Sequence, residues 1–252
     1  MGRQGAENVA VADKGNVVYG VHSAAALLHS PEYITQAWFE RGSPGAALEA
    51  GLRAAGVAVT AGSRAQLDQL AGGERHQGIV LALKPPREYN EAHLKDLVAA
   101  GDDILLLVLD QVQDPRNLGA CLRAADGAGA AAVVVPKDRA ARLTPVVAKT
   151  ASGAAYSVPL IRVTNLARSL RWLGDQGVHR VGFADDAGQS LYGIAVRLPL
   201  ALVLGSEGEG LRRLTREACD ELAAIPMHGS VASLNVAVAA GVALFEVRRQ
   251  SP

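Results

Sequence analysis

The sequence predicts an α/β chain in two parts: a small mixed unit, then a larger domain on a mostly parallel sheet with helices on both faces. Three observations carry this. Residues 104–109, ILLLVL, are six consecutive aliphatics closed by Asp110; an uninterrupted apolar strand needs cover on both faces, as parallel sheets have. Beyond it, short apolar runs alternate with stretches of helical periodicity, the pattern of βαβ units. Finally, Lys84-Pro85-Pro86-Arg87 breaks the chain with two prolines, which neither a helix nor a central strand accommodates.

The elements follow in order. Residues 1–15 are small, polar and unpatterned, and read as a disordered tail. Residues 16–84 read as a compact α/β unit with strands at 17–20, 34–40, 57–61 and 79–83 and helices at 22–29, 44–55 and 65–70. Pro44 sits near the start of its helix, where a missing N–H is tolerated. Nothing in this unit resembles a catalytic constellation, so it reads as a binding module. His76-Gln77-Gly78, just before its last strand, is either a plain loop or a ligand contact. Residues 85–100 read as a linker carrying a helix at 91–99. The domain 101–252 then has strands at 104–109, 132–136, 158–163, 181–184, 200–204 and 222–226, a count of five or six parallel strands. Its helices begin at Pro115, Pro145 and Leu166, with a helical pattern through Leu211, Leu214 and Ala218 and a last helix from Ser233 onward.

Composition bounds the function. The 252 residues are 49% hydrophobic and 20% charged, enough for a sizeable core in a globular protein. Lys plus Arg and Asp plus Glu are 25 each, so the net charge is zero, which argues against a generally basic nucleic-acid binder. The distribution is uneven: Lys137, Arg139, Arg142, Lys149, Arg162, Arg168 and Arg171 face a single acid, Asp138, within one stretch. That stretch is either a footprint for a phosphate-rich partner or a face balanced by acids folded nearby. No apolar run approaches the ~18 residues of a membrane span, and the first 15 residues lack the apolar core of a secretory signal. Cys121 and Cys219, both in helical patterns among apolar neighbours, read as buried free thiols in a reducing cytoplasm. Six histidines without HxxxH or CxxC spacing give no support for a metal site.

Three places carry chemistry. Strand 200–204 ends in Gly205-Ser206-Glu207-Gly208-Glu209-Gly210, whose G-x-x-G-x-G spacing is not the dinucleotide fingerprint. Alone it is a tight turn or a ligand loop. Ser233-Leu234-Asn235 sets an Asn in the first turn of an apolar, buried helix, where it needs a hydrogen-bond partner. Asp114 suits an N-cap and Pro115 the first helical position. Arg116 and Arg123, seven apart, then stack about 10 Å apart on one face. Paired arginines there fit a phosphate or ribose-phosphate, or form a solvated face. The GxGxxA match at 127–132 is discarded, because it follows a helix and precedes a strand, the reverse of the required context.

Asp114-Pro-Arg-Asn-Leu-Gly119 with Arg123, Gly205 to Gly210, and Ile225-Pro-Met-His-Gly-Ser-Val-Ala-Ser-Leu-Asn-Val236 resemble the three motifs of the SpoU (SPOUT-class) RNA ribose methyltransferases. The likeness covers almost the whole chain, including Tyr19-Gly20-Val21-His22. It points to the branch that methylates a guanosine 2′-OH in the peptidyl-transferase P-loop of 23S rRNA. The resemblance implies a C-terminal trefoil-knot domain, an N-terminal RNA-binding unit, S-adenosyl-L-methionine as cofactor and a homodimer. It implies backbone contacts to the cofactor at Gly205, Ile225 and Leu234, and catalytic surroundings from Asn117, Arg123, Glu207, Ser233 and Asn235. Arg116, Arg139 and Arg142 are the expected RNA contacts. A tRNA ribose methyltransferase is the alternative, disfavoured by the separate N-terminal unit; a non-catalytic RNA-binding protein is disfavoured by the intact motifs.

Overall fold

A computed structural model describes residues 17–101 and 103–251; the tail expected at 1–15 lies outside them. The chain divides into two compact units, one ending at Pro85 and the other running from Pro86 to Pro252.

The first unit comprises β1 (Val17–Tyr19), α1 (Val21–Leu27), β2 (Ile34–Glu40), α2 (Ala46–Ala54), β3 (Val59–Gly62), α3 (Arg64–Leu70) and β4 (Ile79–Leu83). Its sheet has the order β1-β4-β2-β3. Strand β4 is antiparallel to both neighbours, and β2 runs parallel to β3. All five residues of β4 are buried. Trp38, Leu67, Ala71, Val80 and Ala82 pack on one face of this sheet. The His76-Gln77-Gly78 loop is a structural clasp. Gln77 Oε1 accepts the Val21 N–H at 3.1 Å, satisfying the open N-terminus of α1. His76 is buried; its Nδ1 accepts the Gly78 N–H at 3.0 Å, which leaves Nε2 to donate to Asp68 Oδ1 at 2.9 Å.

The second unit comprises β5 (Glu88–Tyr89), α4 (Glu91–Ala100), β6 (Leu105–Leu109), α5 (Pro115–Gly127), β7 (Ala132–Pro136), α6 (Pro145–Ala151), α7 (Ala154–Ser157), β8 (Leu160–Val163), α8 (Leu166–Asp175), β9 (His179–Phe183), β10 (Leu200–Leu204), α9 (Arg213–Arg216), β11 (Glu221–Ala223) and α10 (Val236–Gln250). Seven strands form one sheet in the order β11-β9-β10-β6-β7-β8-β5, and every pairing is parallel. Along β6 the side chains alternate. Leu106 and Val108 join Leu94 of α4 and Leu166, Leu170 and Leu173 of α8 on one face. The opposite face carries α5 and α10, which pack on each other and bury Leu118, Leu122, Ala243 and Leu244. This two-sided cover is what the run 104–109 demanded.

Three expectations change. The segment 85–100 is not a free linker: β5 pairs with β8, and Leu94 enters the core of the second unit. A two-residue strand has no periodicity to read, so the sequence does not reveal it. The helix expected through 211–218 shrinks to Arg213–Arg216, with Leu214 half-exposed. Cys219 therefore lies in the bend before β11, not in a helix.

Burial pushes the thiols of Cys121 and Cys219 up to about 12. At pH 8 only on the order of one in ten thousand is then a reactive thiolate. Native protein is expected to resist maleimide at pH 8, and denatured protein to take up two labels, as mass spectrometry would read; rapid native labelling of Cys121 would mean that α5 opens.

Candidate active site

Strands β9, β10 and β11 end on the same edge of the sheet, the edge where open parallel sheets bind ligands. Their following loops and the chain before α10 enclose a cavity of about 340 Å³. Gly205, Ile225, Ser233 and Leu234 all line it, with Phe183, Leu204, Met227 and Val236 supplying apolar wall. Its charged lining groups are Asp185 and Glu207, both carboxylates.

The glycine loop is anchored at both feet. Asp110, fully buried just past β6, donates its N–H to Leu204 O at 2.7 Å. Its carboxylate accepts the Arg212 N–H at 3.1 Å and Nε–H at 2.8 Å. Between these points Gly210 N donates to Ser206 O at 3.0 Å, folding the loop onto itself. Gly205 is obligatory here: a Cβ on it would lie 2.1 Å from the Gly210 carbonyl carbon and 2.4 Å from Leu211 N.

Side chains from the three motifs meet over this loop. Glu207 Oε1 accepts from Asn117 Nδ2 at 3.2 Å, from the Val236 N–H at 3.3 Å, and from Asn235 Nδ2. Asn235 Nδ2 also donates to Asn117 Oδ1 at 2.9 Å. Asn235 Oδ1 accepts the Ala237 and Val238 N–H groups at 3.0 and 3.4 Å. Asn235 is therefore the exposed N-cap of α10, not a buried residue inside its first turn. Capping explains its presence there, and Glu207 is the partner its other atoms required.

At the other end of the site, Asp114 caps α5 by accepting the Arg116 N–H at 2.7 Å. Gly119 lets α5 approach α6, since a Cβ would lie 2.6 Å from Thr150 Cβ and 2.9 Å from Val147 O. Arg116 and Arg123 are both exposed on α5. Arg123 Nη1 lies 3.4 Å from Ser152 Oγ, which accepts from it; its hydrogen bond does not run to the Asn117–Glu207–Asn235 group. Arg139 Nη1 donates to Gln111 Oε1 at 3.4 Å, holding the loop after β7 to the loop after β6. Arg142 lines a different cavity, beside β5.

A family model described as the SpoU rRNA Methylase family matches residues 104–245, and one described as RNA 2′-O ribose methyltransferase substrate binding matches 17–89. The chain belongs to the SpoU rRNA methylase family. The 23S rRNA (guanosine-2′-O-)-methyltransferase RlmB of Escherichia coli (strain K12) is 50% identical over 238 residues, which cover 93% of this chain and 98% of that protein. A crystal structure of an RNA 2′-O ribose methyltransferase shares 28% identity at a TM-score of 0.69, over 93% of this chain and 88% of that one. The SpoU methyltransferase AviRb of Streptomyces viridochromogenes, crystallised with AdoMet, has the same fold at 24% identity and a TM-score of 0.69, over 93% of this chain and 89% of that one.

Family membership accounts for why three motifs, with Asn117 and Asn235 118 positions apart, converge on one loop. The groups that hold them carry little signal in the sequence. Asp110 is legible only as the polar residue closing an apolar strand, and its partner Arg212 lies 102 positions away. Asp185 has no signal beyond its place after β9. Among the described residues, no three His, Cys, Asp or Glu side chains converge on a possible metal position, and no helix is long and apolar enough to cross a membrane.

Proposed function

We propose that this SpoU-family chain transfers the methyl group of S-adenosyl-L-methionine to the ribose 2′-OH of a guanosine in 23S rRNA, in the peptidyl-transferase P-loop. The observation that supports it is the hydrogen-bonded group Asn117–Glu207–Asn235, which joins all three motifs beside a ligand-sized cavity.

The residues fit the cofactor. A cavity of about 340 Å³ falls within the ~300–1,000 Å³ of small-molecule sites. Its charged lining is negative throughout, which suits a sulfonium cation, and its apolar wall suits an adenine ring. Bound there, the cofactor supplies an electrophilic methyl, so the protein's task is alignment. Backbone at Gly205, Ile225 and Leu234 holds the ligand, and the unsubstituted Cα of Gly205 keeps the loop closed against it. Asn117, fixed through Glu207 and Asn235, presents its remaining amide hydrogen to the ribose, while Asn235 holds the group on the cap of α10; Ser233 adds a hydroxyl at the cavity wall. Arg123 grips the phosphate next to the reacting ribose with its planar fork. Holding the two reactants in line is worth at most ~7–11 kcal/mol.

The unit at 17–85 holds the RNA, and Arg116, Arg139 and Arg142 contact its backbone. The chain acts in the cytoplasm as a homodimer, threaded as the SPOUT trefoil knot. Val238 and Phe245, seven apart on α10 and 52% and 54% exposed, provide an apolar stripe for the second copy.

The test is transfer of labelled methyl from S-adenosylmethionine to a 23S rRNA transcript, mapped by ribose-methylation sequencing. Label on one guanosine 2′-O of the P-loop is the expected result; label confined to tRNA, or none, overturns the reading. RNA binding should also depend on salt through the arginines. Replacing Arg139 and Arg142 by Ala is expected to flatten the log Kd versus log salt slope by about 0.7–0.9 for each phosphate left without its cation. Cofactor affinity, read by calorimetry, should stay unchanged. An unchanged slope would make these arginines a solvated face.

A further inference from the structure

We propose that the cleft beside β5 and β8 is a second RNA site, gripping one nucleotide of the substrate strand by its phosphate and its base. The inference rests on the RNA-substrate reading above and extends it to residues that no motif includes.

The cleft, about 690 Å³, lies at the carboxyl ends of β5, β7 and β8. It thus opens on the same edge of the sheet as the methyl-transfer cavity, over the opposite half of the strand order. Its charges sort into two groups. Arg162 is consumed by structure: its side chain is 10% exposed, Nη1 donates to Ala141 O at 2.9 Å, Nη2 donates to Lys137 O at 2.6 Å, and Glu88 lies 3.6 Å away. The two acids are consumed as well. Glu88 Oε1 accepts the Leu143 N–H at 3.1 Å, and Glu91 Oε1 accepts the Thr164 N–H at 2.7 Å while pairing with Arg168 at 3.5 Å. What remains is Lys137 and Arg142, both exposed, with no ion pair or side-chain hydrogen bond among the described residues. Two uncompensated cations on one cleft favour an anion between them.

The same cleft carries an aromatic platform. Tyr89 packs against the core of the second unit, and His93 stacks on it with ring centroids 4.2 Å apart and planes inclined by 25°. RNA bases stack on such rings without regard to sequence. A free nucleotide with a terminal phosphate is less suited, because it draws on open N–H groups at a helix start. Here those of α4 are taken: Asn90 Oδ1 accepts the Ala92 and His93 N–H groups. A phosphodiester needs only the two cations.

The test uses the full chain and a labelled P-loop transcript of 23S rRNA, with anisotropy read across a salt series. Lys137→Ala is expected to weaken binding several-fold and lower the salt slope by about 0.7–0.9, the share of one phosphate. His93→Ala should weaken binding roughly 5-fold or more, the loss of one stacked base, with the slope unchanged. Lys95→Ala removes the same charge from a residue 5.9 Å from the Trp172 ring and should behave as wild type. Wild-type affinity and slope in both cleft variants, or an equal effect from Lys95→Ala, overturns the site. Because the readout is binding, the two readings fail separately: absent methyl transfer leaves the cleft testable with RNA, and mapped methylation with wild-type binding in both variants removes the cleft alone.

Discussion

Gly205→Ala abolishes S-adenosylmethionine binding, with the fold retained; this is the largest effect we expect on the cofactor. The new methyl would sit 2.1 Å from the Gly210 carbonyl carbon and 2.4 Å from Leu211 N. Both are backbone atoms, so no rotamer change relieves the clash, and the loop 206–210 must move off the cavity. A wall displaced from the cavity loses its contacts to the ligand, and calorimetry should show Kd raised by on the order of 100-fold or more, about 2.7 kcal/mol. The sheet itself should survive, because β10 ends at Leu204, before the substituted position. Gly188→Ala is the control: nothing lies within 4 Å of its added Cβ, and binding should be unaffected. If Gly205→Ala binds within about threefold of wild type, the glycine loop is not the wall of the cofactor site.

Arg123→Ala removes methyl transfer even when RNA and cofactor are both saturating. Its guanidinium is exposed on α5, held by one long hydrogen bond to Ser152, so truncation leaves no buried group unpaired. Under single-turnover conditions with RNA and cofactor saturating, the rate should fall by on the order of 10²–10³-fold, the effect of losing one aligned donor. Circular dichroism and the oligomeric state should not change. Arg123→Lys is the sharper probe, because lysine keeps the charge and loses the planar fork that grips a phosphate with two bonds. If Lys restores most of the rate, charge alone suffices and the geometric role assigned to Arg123 is wrong.

Much of the site is legible in the sequence because its signals are local. Asp114-Pro115 announces the start of α5, and the structure places the N-cap and first helical residue there. The three glycines of 205–210 mark either a tight turn or a ligand loop; the close approach of Gly205 to the Gly210 and Leu211 backbone is the turn, and it shows only in the fold. Asn235 needs a partner by its residue type, but its place at the cap rather than inside the helix shows only in the fold. Its capping bonds run to residues two and three ahead, whereas the bonds to Glu207 and Asn117 span 28 and 118 positions. The basic stretch 137–171 shows the same division. Its composition is visible, but the neutralisation of Arg162 and Arg168 by Glu88 and Glu91 is not, since those acids lie on a segment that reads as linker.

By itself the sequence determined the α/β class, the two-part organisation, most helices and strands, and the three motif segments that place the chain in its family. These follow from periodicity, turn chemistry and residue type, all carried within a few positions. Only the tertiary structure decided which ends of which strands meet. It set β10 between β9 and β6, brought β5 to the far edge beside β8, and closed Asp110 on Arg212. The reason is physical: parallel strands pair through crossovers of a dozen or more residues. The partner of each edge is therefore chosen by burial on both faces of the whole sheet, a quantity that no local stretch of sequence contains.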